Sequence, residues 1–118
     1  MNIRSAFLLA AGAFLSTSGA VPAAEREETI ATRGDVTISF VATTPDTAPK
    51  GAAILFAGGN GKLKLWLGNG AQSGNFLVRS RQLFADRGVF TVTVDVASDQ
   101  RLRGLNDLRD GSDHRMDI

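Results

Sequence analysis

The stretch Ala52-Ala53-Ile54-Leu55-Phe56-Ala57, followed at once by Gly58-Gly59-Asn60-Gly61, decides the fold of this chain. A short, continuous apolar run is typical of a strand that is covered on both faces of a sheet. Glycines directly after such a strand let the backbone turn sharply and let a ligand approach it closely. We therefore predict a central strand over residues 52–57 and a functional loop over residues 58–61, called the glycine loop below.

The residues that follow predict a helix over residues 76–87. Asn75 is a typical N-cap residue, and Gly88 is a typical residue just past the end of a helix. One helix face is apolar and is predicted to contact the sheet, while the basic side chains lie elsewhere and are predicted to be solvated. The apolar residues are Phe76, Leu83 and Phe84, and the basic residues are Arg79, Arg81 and Arg87.

Strand patterns flank this helix on both sides. Residues 89–96 are β-branched and aromatic, and the order strand, helix, strand predicts a parallel crossover. Upstream, residues 36–42 alternate between apolar and polar, as in a half-buried antiparallel strand, and residues 29–32 form a weaker strand candidate. Residues 62–67 also alternate and fit either a short strand or a surface excursion. The predicted fold class is α/β, with two antiparallel strands leading into a parallel βαβ unit.

Length and composition exclude several classes of function. The 118 residues allow one domain at most. The 13 basic and 12 acidic residues give a net charge of +1, which argues against a nucleic-acid partner. The absence of Cys rules out disulfides, thiolate zinc sites and a cysteine nucleophile. His114 is the only His, which excludes a His-rich metal site, and no cofactor is expected.

The first 24 residues predict a cleaved secretory signal peptide. Arg4 supplies the positive charge, residues 6–15 form an apolar run, and small residues follow. Cleavage is expected after Ala23, with Ala20 and Ala24 as alternatives. An uncleaved anchor is the other interpretation, but the apolar run is about half as long as a membrane span needs. We expect a periplasmic or secreted bacterial protein, with a domain over residues 25–118 and no membrane span after cleavage.

Three stretches together resemble the N-terminal part of exported bacterial α/β-hydrolases: residues 53–61, 74–81 and 92–95. The resemblance extends over residues 29–118. It implies two antiparallel strands, a buried third strand, a loop that contributes to the oxyanion hole, a helix and a parallel fourth strand. It assigns Gly58, Gly59, Asn60 and Gly61 to the oxyanion hole. For the complete family it implies a small ester or amide-like substrate.

The chain departs from this family at the catalytic residues. The nucleophile of the family lies in Gly-x-Ser-x-Gly, whereas Gly70-Ala71-Gln72-Ser73-Gly74 has its Ser one place too late. The family's acid and His follow the nucleophile, so His114 precedes the expected nucleophile turn. We therefore expect an N-terminal portion of a hydrolase that stops before this turn and has no catalytic residue of its own. Residues 89–96 would then be an exposed, aggregation-prone sheet edge.

Two other functions fit parts of the pattern. A dinucleotide-binding βαβ unit would use residues 63–67 as a strand, residues 68–74 as its glycine-rich turn and Asp95 as its acid. Its glycine spacing, G-x-G-x-x-x-G, departs from G-x-G-x-x-G. A small exported binding module without enzymatic activity is the second alternative. Asp95 itself is predicted to tie down the loop that follows it through hydrogen bonds between its side chain and the backbone, with substrate binding as the alternative.

Overall fold

A computed structural model describes residues 23–118 and shows, within them, a four-stranded mixed sheet with two α-helices. The strands are β1 (Ala24–Ala31), β2 (Thr37–Thr44), β3 (Gly51–Phe56) and β4 (Val89–Val94). The helices are α1 (Phe76–Ala85) and α2 (Ser112–Asp117), and 3₁₀ turns cover Leu65–Leu67 and Ser98–Gln100. Nearly all of the predicted signal peptide lies outside the described residues. Among residues 23–118, no helix combines the length and apolar character that crossing a membrane requires.

The strand order is β1-β2-β4-β3. β1 and β2 are antiparallel, β2 and β4 are antiparallel, and β3 and β4 are parallel with α1 between them. The predicted α/β arrangement, in which two antiparallel strands lead into a strand–helix–strand unit, is confirmed at this level.

The central parallel strand is β4, and the prediction that residues 52–57 form a central strand covered on both faces is wrong. β4 pairs with β2 on one side and with β3 on the other, so β3 lies at the edge, where Ile54 is 57% exposed. β4 carries β-branched side chains on both faces, as suits a strand with a neighbour on each side, and no described strand pairs with the outer edge of β3. Among the strands of residues 23–118, the free, uncharged edge is therefore β3 and not residues 89–96.

β1 is longer than the sequence pattern suggested. All eight of its residues pair with β2, from Ala24 opposite Thr44 to Ala31 opposite Thr37. The pattern predicts a strand only over residues 29–32; residues 25–28 are all charged, and charge lowers strand propensity. On an edge strand, however, charged side chains remain in water and discourage pairing with other chains.

The two faces of the sheet are covered unequally. On one face, α1 and the segment after β3 enclose a core that comprises Val41, Ala57, Leu63, Leu65 and Val78. On the other face, a cavity of about 120 Å³ remains open beside the end of α2. It is lined by Ile30, Ile38, Phe40, Ile54, Val92, Val94, Asp117 and Ile118. The candidate site described below rests on the enclosed side.

The ends of α1 match the prediction, but its buried face does not. Asn75 Oδ1 accepts a hydrogen bond from Leu77 N at 3.0 Å, and Gly88 follows the helix with φ of +80°. The buried residues are Val78, Ser80 and Ala85, while Phe76 and Leu83 are 68% and 54% exposed. Of the predicted apolar face only Phe84 is half-buried, because small side chains let α1 approach the fully buried threonines of the sheet, which are Thr43, Thr91 and Thr93.

An ion pair fixes the rotation of α1 against β1, so the prediction that Arg81 is solvated is wrong. Arg81 Nε and Nη2 donate to the two carboxylate oxygens of Glu25 at 2.7 and 3.1 Å, and Gln82 Nε2 donates to Glu25 Oε1 at 2.9 Å. Burial alone raises the pKa of Glu25, but these hydrogen bonds and the charge of Arg81 outweigh it. The pKa of Glu25 therefore lies below its ordinary value.

We expect Glu25→Gln to lower the free energy of unfolding by up to about 1 kcal/mol at pH 7. A lowered pKa in the folded state stabilises the protein above the ordinary value of 4.5, and this stabilisation is lost as the pH falls through the folded-state value. Urea unfolding should therefore separate Glu25→Gln from the parent at pH 7 and not at pH 3. Glu27→Gln, an exposed change on the same strand, is the matched control. A Glu25→Gln deficit that persists unchanged at pH 3 would contradict this account.

Candidate functional site

The candidate site lies where the two parallel strands end. β3 and β4 run in the same direction, so the residues after Phe56 and Val94 meet at one edge of the sheet. The glycine loop follows β3, and Asp95 follows β4. In open α/β sheets, ligands bind outside the carboxyl ends of the strands, so this edge is the expected place for chemistry.

The glycine loop is a tight turn that only glycine accommodates easily. Gly61 N donates to Gly58 O at 3.3 Å and closes the turn. Gly59 and Gly61 have φ of +63° and +76°, in the left-handed region that strongly favours glycine. No atom outside the immediate chain neighbours would lie within 4 Å of a Cβ at Gly59, so backbone conformation and not space requires glycine there.

The carbonyl groups of this region are bound by a later segment of the chain. Arg109 Nη2 donates to Ala57 O and to Gly59 O, both at 2.8 Å, and Leu105 N donates to Asn60 O at 2.8 Å. Within residues 23–118, no protein acceptor binds the N–H groups of Gly58, Gly59 or Asn60. With its carbonyl groups bound, the loop keeps N–H donors free for an anionic group.

The loop also rests against the start of α1. A Cβ on Gly58 would lie 2.8 Å from Asn75 Nδ2, so a larger residue at this position would displace the side chain of the helix N-cap. The N-terminus of a helix carries a partial positive charge. The electrostatic setting beside Gly58 therefore favours negative charge.

Asp95 holds the segment after the glycine loop in place. Its side chain is buried, with the residue 3% exposed, and Oδ1 accepts from Leu63 N and Val96 N at 2.8 Å while Oδ2 accepts from Leu65 N at 2.9 Å. The predicted structural role as an acceptor for backbone N–H groups is confirmed, but the loop that Asp95 mainly holds precedes β4 and does not follow it. The carboxylate links the end of β4 mainly to the segment after β3, and only through Val96 to the residues that follow it.

The structure brings neither Ser73 nor His114 into a catalytic arrangement. Ser73 Oγ accepts a hydrogen bond from Asn75 N at 3.1 Å and so helps to begin α1. The half-buried His114 ring packs edge-on against Phe56, with the ring centres 6.1 Å apart. Among the residues that the structure describes, no group of three or more His, Cys, Asp or Glu is placed to hold a metal ion.

Sequence reasoning missed a charged cluster around Arg33, in the turn between β1 and β2. Arg33 Nη2 donates to Asp99 Oδ2 at 2.8 Å and to Asp117 Oδ2 at 3.3 Å, and Arg33 Nε lies 3.2 Å from Asp117 Oδ1. Thr32 Oγ1 donates to that same Asp117 Oδ1 at 2.8 Å. The hydrogen bond to Asp99, followed by the interactions with Asp117, raises the pKa of Arg33 despite its partial burial. No local sequence pattern indicates this cluster, because its residues are far apart in sequence. It fastens α2 to the β1–β2 turn.

The strand that a dinucleotide-binding unit requires is not formed. Residues 65–67 are a 3₁₀ turn outside the sheet, preceded by Lys64 at φ of +61°. Leu63 and Leu65 are buried in the core beneath α1. The glycines after this turn therefore do not connect a sheet strand to α1, as a dinucleotide-binding turn would.

Comparison of the chain with family models, with curated proteins and with solved structures gives no match in any of the three. The geometry of the sheet edge and the chemistry of the residues there are what indicate a function.

Proposed function

We propose that residues 25–118 are the N-terminal part of an exported α/β-hydrolase of the serine type, with the glycine loop as its oxyanion loop. One observation carries the proposal: a glycine turn with free N–H groups directly follows a parallel strand, at the carboxyl edge of a sheet ordered β1-β2-β4-β3. The likeness to an exported bacterial hydrolase also makes a periplasmic or secreted location part of this proposal.

The chemistry proposed for the loop is electrostatic. When a nucleophile attacks an ester or amide carbonyl, negative charge develops on the carbonyl oxygen. The N–H groups of Gly59 and Asn60 would donate to that oxygen. Donors that are already held in place need no reorganisation during the reaction, and here Arg109 and Leu105 bind the carbonyl groups of the same loop.

The free edge of β3 gives the rest of such an enzyme a place to pair. In α/β-hydrolases the nucleophile stands on a turn between a strand and a helix, followed along the chain by the acid and the His. A further parallel strand hydrogen-bonded to β3 would end beside the glycine loop, because parallel strands share their carboxyl edge. The nucleophile would then face the N–H groups across that edge. The substrate class that suits this chemistry is a small ester or amide-like compound.

We expect the 118-residue chain alone to show no turnover of p-nitrophenyl esters and no labelling by a fluorophosphonate probe. Without a nucleophile and a general base, only the small residual effect of oxyanion donors would be left. Activity-based labelling followed by peptide mass spectrometry makes the measurement, with a complete serine esterase as the positive control. Stoichiometric labelling of Ser73, or of any other Ser, would contradict the assignment of the nucleophile to a further strand.

A further inference from the structure

Two loops that lie next to the glycine loop contact each other. Residues 62–67 follow it directly, and residues 101–103 follow the Ser98–Gln100 turn. The guanidinium carbon of Arg101 lies 5.3 Å from the ring centre of Trp66, and Lys62 Nζ donates to Leu102 O at 2.5 Å. Together these loops form one surface, called the basic loop surface below.

The charge of the basic loop surface is positive and uncompensated. Its sequences are Lys-Leu-Lys-Leu-Trp-Leu and Arg-Leu-Arg, with four cations and no carboxylate. Within residues 23–118, none of these four side chains forms an ion pair, in contrast to Arg33 and Arg81. In a chain with a net charge of only +1, this concentration of cations is a local feature and not an overall excess.

Apolar side chains project from the same surface. Leu102 is 93% exposed between its two arginine neighbours, and Leu67 is 54% exposed next to the half-buried Trp66. Burial of exposed leucine side chains away from water is favourable. Leucine and tryptophan beside lysine and arginine are the combination that anchors peripheral proteins in the interface of a bilayer.

We propose that the basic loop surface binds an anionic lipid bilayer, with Leu102 and Leu67 inserted at the boundary between head groups and acyl chains. The four cations would then contact lipid phosphates. A nucleic acid fits less well, because Arg101 already covers a face of Trp66 that a base would need for stacking. The proposal goes beyond the hydrolase assignment and does not depend on it, since it uses side chains of two loops and not the N–H groups of the glycine loop.

Trp66 makes the test specific. It is the only Trp in the chain and there is no Tyr, so the emission reports this surface. The full chain is titrated with vesicles of phosphatidylglycerol and, in parallel, of phosphatidylcholine. We expect a blue shift and quenching by brominated lipid with the anionic vesicles alone, with weaker binding at 1 M salt because the Debye length falls to about 3 Å. Attachment through residues 6–15 alone would not respond to substitutions in the basic loop surface.

Variants separate the contributions of charge and of apolar insertion. Arg103→Gln should weaken binding about five-fold, which corresponds to one cation near an anionic bilayer. Leu102→Ser should weaken it about ten-fold. Leu83→Ser removes a leucine that is equally apolar and 54% exposed on α1, and should leave binding unchanged.

Three results would overturn the proposal. The first is Trp66 emission that anionic vesicles do not change. The second is binding of Leu102→Ser and Arg103→Gln as tight as that of the parent. The third is a Trp66 response to a single-stranded oligonucleotide in the absence of any response to vesicles, which would assign the surface to a soluble polyanion.

Discussion

Asp95→Ala is expected to lower the free energy of unfolding by about 3–5 kcal/mol. The buried carboxylate accepts hydrogen bonds from Leu63 N, Leu65 N and Val96 N, and its removal leaves three donors without an acceptor. Each buried, unsatisfied donor costs about 1–3 kcal/mol. Since whole domains are stable by only about 5–15 kcal/mol, this loss would remove a large fraction of the total stability.

Urea unfolding of a graded pair measures this effect. Asp95→Asn keeps one oxygen acceptor but places an NH₂ group against an N–H donor, so an intermediate loss of about 1–3 kcal/mol is expected. Asp46→Ala, an exposed change in the loop between β2 and β3, should alter stability by less than about 0.5 kcal/mol. Hydrogen exchange of the Leu63 and Leu65 amides should accelerate in both Asp95 variants. If Asp95→Ala were as stable as Asp46→Ala, Asp95 would not hold this edge together.

The parts of the fold that depend on residues close together in sequence were predictable from the types of those residues. The Asn75 cap and the Gly88 stop delimit α1 because both act through hydrogen bonds and dihedral angles within one turn. The role of Asp95 followed from the same reasoning, since a carboxylate at a strand end readily accepts hydrogen bonds from backbone N–H groups.

The order of the strands and the rotation of α1 were not predictable in this way. An apolar run such as that of β3 shows that neither face is polar, but it does not show whether another strand pairs at its edge. The rotation of α1 depends on Glu25, a residue 56 positions before its partner Arg81, and on buried threonines in other strands. Both features arise from contacts that are distant in sequence.

The candidate site was likewise predictable only in part from the sequence. The place of the glycine loop after an apolar strand was visible in the sequence. The partners that hold it, Arg109 and Leu105, come from a polar segment without a periodic pattern that would mark them. The Arg33 cluster likewise joins residues from three separate segments.

In a chain that continues through a nucleophile turn, Gly59→Val is expected to reduce kcat about 10²- to 10³-fold, the usual effect of losing one oxyanion donor. Gly59 has φ of +63°, which a β-branched residue adopts only with strain, so the loop would rearrange and its N–H groups would turn away. KM should change little, because the donors act on charge that is present only in the transition state.

Gly59→Asn is the matched control, because Asn tolerates the left-handed conformation and keeps the N–H group in place. It should lose much less activity than Gly59→Val. Asn60→Ala tests the side chain of Asn60 and not a backbone donor. Asn60 Oδ1 accepts a hydrogen bond from Lys62 N at 3.1 Å and so supports the turn itself. Circular dichroism and urea unfolding establish that each variant is folded. Full activity of a folded Gly59→Val protein would exclude the loop from catalysis, and equal losses in Gly59→Val and Gly59→Asn would contradict the explanation through backbone conformation.

The measurement that tests the hydrolase assignment most directly is the DNA sequence downstream of codon 118. The assignment predicts that one reading frame there encodes an apolar strand, Gly-x-Ser-x-Gly and a helix, followed by an acid and then a His, the chain order of this fold. The strand would be the one that pairs with the free edge of β3. Downstream DNA without these elements in any of the three frames would contradict the assignment, and the glycine loop would then be a turn without an oxyanion to bind.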